Sequence, residues 1–298
     1  MSFKEFCLQE KIEIKQKENM KNHTSFKIGG AADYFVNVKC LEDLEKVIKK
    51  AKELNLPFFI LGKGSNLLVS DKGIEGVVIC LTQFNDVTVC GDVIKAFAGA
   101  SLAQVCVKAY ENSLTGLEFA YGIPGTVGGG LYMNAGAYGG EMSQVVISAE
   151  YIDLDGTMGE FSIDEMNLGY RTSVFKQNGK IITSVKIKLK KGEKAEIKAQ
   201  MDDFMSRRKS KQPLEYASAG STFKRPEGYY AGALIEENNL KGFSVGGAMV
   251  SEKHAGFVIN YNNATSDDVK KLMAEIQKRV YEKNCVKLEP EVIFVGRE

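Results

Sequence analysis

Residues 41–55, LEDLEKVIKKAKELN, put Leu41, Leu44, Ile48 and Ala51 on one side of a 3.6-residue period and charge on the other, which predicts an amphipathic helix. LPFFILG (56–62) is a continuous apolar run of strand length that enters the turn GKGSN, and GVVICL (76–81) reads as a second strand. DVTVCGDVIKAFAG predicts two strands hinged near Gly91-Asp92. Ser101 and Gln104 form a capping box for a helix reaching about Asn112. VVISAEYIDLDG, MGEFSI and IITSVKIKLKKG follow as partly alternating strands. The pattern changes near residue 193, where EKAEIKAQMDDFMSRRKSKQ predicts a charged helix ending before Pro213, a boundary. Beyond it come a short helix (AGALIEENN) and strands in FSVGGAMV and GFVINY. A helix opened by Thr265 and Asp268 then turns Val269, Leu272, Met273, Ile276 and Val280 inward, and EVIFVG closes as a strand. Strand–helix alternation in front and mixed pairing behind predict an α+β chain of two or three units.

One stretch breaks every period. YGIPGTVGGGLYMNAGAYGGEM (121–142) carries eight glycines between Gly122 and Gly140, each losing more freedom on folding than any other residue would. Interleaved Ile123, Val127, Leu131 and Met133 make it too apolar for a flexible linker. Pro124 stiffens a turn, and Gly128-Gly129-Gly130 let main chain lie against a ring face or a pyrophosphate.

Composition narrows the classes. The chain has 298 residues, 44% hydrophobic and 26% charged, with 30 glycines and five prolines, as expected of a well-packed enzyme. A net charge of +1 provides no broad field for nucleic acid or a membrane surface, so any anion must be held by local cations and amides. The N-terminal 23 residues contain no apolar h-region, and no run approaches the ~18 apolar residues of a membrane span. Cys7, Cys40, Cys80, Cys90, Cys106 and Cys285 contain no C-x-x-C pair and mostly sit in apolar runs. Buried free thiols in a cytoplasmic protein are expected. His23 and His254 are the only histidines, which argues against a metal site or a Ser-His-Asp triad.

Four segments hold candidate chemistry. LGKGSNLLVSDKGIEG (61–76) follows a strand and either presents amides to phosphate or is a strand-ending turn. It is not a dinucleotide fingerprint, because Leu67 stands where the third glycine belongs. GYRTSVFK (169–176), read as an extended segment, is a cationic site or a solvated edge. SAGSTFKRPEG (218–228) places Ser221 after a glycine, with Arg225 extended by Pro226. Without a partner histidine, Ser221 is a poor hydrolase nucleophile. Glu291 reads as a surface carboxylate on pattern alone.

Together these segments resemble the UDP-N-acetylenolpyruvoylglucosamine reductases, the MurB family. The resemblance runs in order through NHTSFKIGGAADYFV (22–36), LGKGSNLLVSD, GIPGTVGGGLYMNAGAYGGE, YRTSVFK, QPLEYASAGSTFKRPEG, GFSVGGAMVSEKHAGFVIN and LEPEVIFVG. The chain lacks a tyrosine-bearing substrate loop after YRTSVFK, which resembles the type II form. The resemblance implies a two-subdomain FAD-binding domain of the vanillyl-alcohol-oxidase (PCMH) type, residues 1–82 and 83–200. A C-terminal α+β substrate domain, 201–298, would follow, with its last strand able to return to the FAD domain.

It also implies non-covalent FAD, NADPH as hydride donor, and a UDP-sugar enolpyruvyl ether as substrate, in peptidoglycan synthesis. A monomer is expected, although no residue pattern fixes the oligomeric state. Leu61, Gly62, Lys63, Gly64, Ser65, Asn66 and Leu67 would cradle the pyrophosphate. Gly122, Ile123, Pro124, Gly125, Gly128, Gly129, Asn134, Ala135 and Gly136 would face the flavin ring and ribityl arm. Hydride would pass from flavin N5 to C3 and a proton from Ser221 to C2, with Arg171 and Glu291 flanking the substrate carboxylate. Arg208 matches an arginine that holds the UDP phosphates, with a solvated helix charge as its plain alternative. Apart from the resemblance, the nearness of Lys224 and Arg225 in sequence lets them supply positive field at Ser221. The chain departs from the family at Ile293, where an arginine is frequent. Two other readings stand beside it: an oxidase on the same fold, which would need neither NADPH nor Ser221, and a silent nucleotide-binding module in which Arg171, Ser221 and Glu291 are incidental.

Overall fold

The computed structural model describes all 298 residues, which divide into two compact units. One comprises Met1–Lys15, Tyr34–Lys63 and Gly76–Arg208; the other comprises Gln16–Asp33, Gly64–Glu75 and Lys209–Glu298.

In the first unit, helix Leu41–Glu53 forms where its period predicts, with Glu42 and Asp43 in the first turn and Lys50 and Lys52 in the last, each sign matching the helix dipole. Its buried stripe of Leu44, Val47, Ile48 and Ala51 joins one hydrophobic core with Val77 and Ile79 of strand Ile74–Cys80. Phe58–Leu61 pairs with that strand in parallel, Phe58 opposite Val77 and Leu61 opposite Cys80. A five-stranded antiparallel sheet orders Met158–Ser162, Val146–Ile152, Ile181–Lys188, Val93–Phe97 and Val87–Cys90. Its last two strands form the expected hairpin, turned by Gly91 at φ +64°.

In the second unit, Ala217–Ser218, Val258–Asn260, Ala248–Val250 and Ser244–Val245 make an antiparallel sheet. Helix Ser266–Asn284 buries Val269, Leu272, Met273, Ile276 and Val280 in the same core as Ala248, Val250 and Val258. Thr265 and Asp268 close a reciprocal capping box at its start. The Asp71 carboxylate accepts two further orphan amides there, Ser266 N at 3.0 Å and Asp267 N at 3.2 Å. Strand Ile293–Val295 pairs in parallel with Leu67–Val69.

Several local expectations need correction. GYRTSVFK is not extended. Gly169 and Thr172 exchange backbone bonds across a two-residue turn, and a helical turn, Phe175–Asn178, follows. The glycine stretch contains a short helix, Val127–Tyr132, which Thr126 caps by accepting from Gly129 N. The Ser101 box is only half formed, since Gln104 turns its side chain to Asn85 O. Helix Phe3–Gln9 and strand Glu13–Asn19 were not anticipated. All six cysteines are free, but Cys40, Cys90 and Cys285 are exposed, because only Cys7, Cys80 and Cys106 lie on inward-facing positions. No helix is long and apolar enough to cross a membrane.

Candidate active site

Loop 61–67 is tied down almost entirely through its carbonyls. Leu61 O accepts from Leu81 N at 2.9 Å, Gly64 O from Ser25 N at 3.2 Å and Asn66 O from Ile293 N at 3.0 Å. The amides of Gly62, Lys63, Gly64, Ser65 and Asn66 donate to no acceptor in the chain. A backbone donor is normally paired, and a run of free donors around a left-handed residue is the geometry of an anion-binding nest. Gly64 is that residue, at φ +60°, and a Cβ there would lie 2.2 Å from His23 O, so no side chain fits.

The glycines of 121–142 divide into two groups. Gly128 and Gly140 are bare because protein presses on them: a Cβ would lie 2.8 Å from Ala98 Cβ and 2.5 Å from the Phe119 ring, respectively. Gly129 is exposed, its added Cβ meeting only Thr126 Oγ1 at 3.3 Å, and Pro124 is exposed with it. Gly62 lies against the same Thr126 hydroxyl, 2.6 Å from its would-be Cβ, so within this unit the loop start and the helix start Val127–Tyr132 are neighbours. The sequence reading did not single out Thr126; its position three residues before Gly129, opening a helix, was the available signal.

Asn134 is buried and has both ends of its amide occupied. Nδ2 donates to Gly169 O at 3.1 Å, and Oδ1 accepts from Ser143 N at 2.9 Å. Ser173 Oγ donates to Tyr132 O at 2.8 Å. These bonds pin the 169–173 turn to the glycine-rich segment and hold Arg171 at φ +55°, a left-handed conformation disfavoured for a long side chain. The Arg171 guanidinium lies over the Tyr170 ring, 5.3 Å from its centroid. Asn134→Ala should destabilise this unit by about 1–3 kcal/mol, the cost of leaving the Ser143 amide unpaired and loosening the turn. Urea melts check this, and an unchanged midpoint would contradict it.

Arg208, on helix Lys194–Lys211, packs its aliphatic stem on bare Gly122, whose would-be Cβ is 3.1 Å from Arg208 Cδ. Burial depresses the guanidinium pKa, opposed by nearby Tyr138, and no carboxylate in the chain pairs with it. A desolvated cation without a counter-ion is a ready partner for an anion. Tyr138 tips the hairpin Gly136–Ala137/Gly140–Glu141 at φ +55° and stacks on Phe204 of the same helix, centroids 4.6 Å apart. Nothing in the residue pattern pointed to that stack.

The second unit gathers the remaining candidates around Thr222. Ser221 is exposed, and its hydroxyl makes no hydrogen bond within the chain. Gly220 before it is left-handed at φ +79° with open space around it. Thr222 O accepts from Glu291 N at 2.9 Å, and Asn66 Nδ2 donates to Glu291 O at 3.1 Å. Backbone bonds therefore bring the end of the 61–67 loop, Glu291 and the Ser221 segment together. Lys224 pairs with Glu289 at 3.0 Å, an exposed pair of small energetic weight. Arg225 stacks over Tyr230 at 4.0 Å and bonds Tyr229 O through Nε. Ile293 is half-buried in the strand that runs beside Leu67.

Residues 32–162 match the model of an FAD binding domain, and 212–295 match the C-terminal domain of UDP-N-acetylenolpyruvoylglucosamine reductase. Curated UDP-N-acetylenolpyruvoylglucosamine reductases from Clostridium novyi and Clostridium perfringens are 51% and 50% identical; the alignments cover 97% and 94% of this chain and 94% and 92% of theirs. The crystal structure of the Thermus caldophilus reductase superposes with TM-score 0.81 at 36% identity, covering 96% of this chain and 99% of that one. BBE-like 1 from Physcomitrella patens shares the fold alone, at TM-score 0.50 and 11% identity over 64% of this chain and 45% of that one. The expected α+β class holds: a PCMH-type FAD-binding domain with a C-terminal α+β domain.

Proposed function

Because the chain belongs to the UDP-N-acetylenolpyruvoylglucosamine reductase family, we propose that it is a cytoplasmic, monomeric, NADPH-dependent flavoenzyme. It reduces the enolpyruvyl group of UDP-N-acetylglucosamine enolpyruvate to UDP-N-acetylmuramate in peptidoglycan synthesis. The observation that carries this reading is the run of unpaired amides from Gly62 to Asn66 around left-handed Gly64. FAD would fit that donor set: the free amides of Gly62 to Asn66 would hold its pyrophosphate, and exposed Pro124 and Gly129 would face its ring. Gly122, Ile123, Gly125, Gly128, Asn134, Ala135 and Gly136 complete the cofactor surface, Asn134 through its backbone because its side chain is already committed.

Bound FAD supplies the two-electron store that accepts hydride from NADPH and returns it to C3 of the enolpyruvyl double bond. The chain's own residues manage charge and protons. Hydride addition at C3 leaves an enol-like anion whose charge spreads from C2 into the carboxylate. Arg171 stabilises that charge, and Glu291 faces the same carboxylate only with a proton or a donor of its own. Ser221 gives its hydroxyl proton to C2, and its exposure leaves solvent access for regaining one. Arg208 holds the phosphates, while Lys224 and Arg225 supply positive field near the serine.

Both NADPH and the sugar nucleotide must reach the same flavin edge, so they should compete. Titration of the oxidised, yellow protein with an NADPH analogue at saturating UDP-N-acetylglucosamine enolpyruvate should raise the apparent Kd in proportion to the sugar nucleotide. Simultaneous tight binding of both would overturn the single-pocket reading.

A further inference from the structure

We infer that His254 is a positioning residue for the Ser221 step: its neutral imidazole fixes Gly256, and Gly256 in turn seats the backbone that carries the Ser221 hydroxyl. This rests on the reading of Ser221 as proton donor. His254 lies in the turn joining strands Ala248–Val250 and Val258–Asn260. Ser251 Oγ accepts from Lys253 N at 3.2 Å and His254 N at 3.3 Å, and Phe257 N returns to His254 O at 3.0 Å. Gly256 N donates to His254 Nδ1 at 3.0 Å. The Gly256 carbonyl accepts Thr222 N at 2.9 Å, and Val258 N donates to Thr222 Oγ1 at 2.9 Å. Thr222 O takes Glu291 N. Thr222 is thus the link between the imidazole, Ser221 and Glu291.

The space around the ring is shaped for it. Would-be Cβ atoms on Gly232, in helix Ala231–Glu237, and on Gly256 lie 3.3 Å and 3.0 Å from His254 Cε1, so a side chain at either position would crowd the ring. Phe257 meets the ring edge-on at 5.0 Å. An imidazole accepts at Nδ1 only when that nitrogen carries no proton, so the ring is neutral with its proton on Nε2. Protonation would set two donors, Nδ1–H and Gly256 N–H, against each other.

Burial holds the His254 pKa below its ordinary value. A hydrogen bond to the turn's own backbone opposes that shift, as does Glu236, while Lys241 and Lys211 push the same way as burial, and Glu236 is ion-paired to Lys241 at 2.6 Å. On the turn itself, Lys253 is engaged by Glu215 at 3.5 Å. A depressed histidine pKa means that the turn's contribution is complete above the unfolded value of about 6.5 and is lost as pH falls through the lower folded value.

Two variants of the FAD-loaded enzyme, followed by anaerobic stopped flow, test this. His254→Leu removes the acceptor and should slow flavin reoxidation by the enolpyruvyl substrate roughly tenfold, the rate equivalent of one hydrogen bond, with flavin reduction by NADPH unchanged. His254→Asn places an oxygen where Nδ1 stood, a common Asx-turn acceptor for the amide two residues on. It should restore the rate and abolish the decline of reoxidation at acid pH. Equal slowing of both half-reactions, no slowing in folded His254→Leu, or an unaltered acid limb in His254→Asn would each overturn the inference. Should His254→Leu fail to fold, the His254→Asn pH profile decides alone. Ser221→Ala separates the two layers: if it leaves reoxidation fast, the serine reading itself fails; if it slows reoxidation while both His254 variants are silent, only the positioning role fails.

Discussion

Ser221→Ala should leave flavin reduction by NADPH at the wild-type rate and slow reoxidation by the enolpyruvyl substrate by ~10² or more, the usual worth of a positioned general acid. The split follows from where the proton is needed. Taking hydride from NADPH requires no protonation at substrate C2, whereas quenching the anion left by hydride addition does. A free hydroxyl is a weak acid, so its value lies in placement. Gly220 turns the chain so that Ser221 is exposed, while Thr222 anchors the next residue on both sides, through Gly256 O and Glu291 N. The substitution deletes one exposed atom that makes no internal hydrogen bond, so stability should be nearly unchanged. Equal slowing of both half-reactions would mean that Ser221 shapes a shared binding surface.

Arg171→Met should produce a second large loss, about 10²–10³ in the reoxidation step, as expected for removing a preorganised charge from a developing anion. The arginine is preorganised at a cost: a non-glycine residue sits at φ +55° because Asn134 and Ser173 hold the turn on either side. Arg171→Lys should recover only part of the rate, because an ammonium lacks the planar fork that meets a carboxylate with two parallel bonds. Single-turnover rates at saturating substrate separate loss of chemistry from loss of affinity. A rise in KM with no change in the single-turnover rate would reduce Arg171 to a binding role.

What could be read in advance followed how local the determinants are. Helices Leu41–Glu53 and Ser266–Asn284 were legible because period and capping residues lie within the elements. Helix Val127–Tyr132 was hidden because three of its six residues are glycine, the poorest helix former after proline. It exists because Thr126 caps it and Gly128 lets it press onto Ala98. The Arg171 turn was misread for a related reason: the bonds that fix it come from Asn134 and Tyr132, far back in the chain. On pattern alone Ser221 is only a poor hydrolase nucleophile and Glu291 a surface carboxylate. Only the ordered motifs linked them, and their physical link, Thr222 O to Glu291 N, joins distant segments by backbone atoms that no side-chain pattern reveals. His254 counts in the sequence only as one of two histidines, and its role as an acceptor for a backbone amide two residues away leaves no trace in composition.

The most direct test of the central claim is an anaerobic two-step flavin trace on the purified protein. The account predicts that NADPH bleaches the flavin band and that UDP-N-acetylglucosamine enolpyruvate, with oxygen still excluded, restores it within single-turnover time. A flavin that stays bleached until oxygen is admitted would contradict the account and identify an oxidase on the same fold.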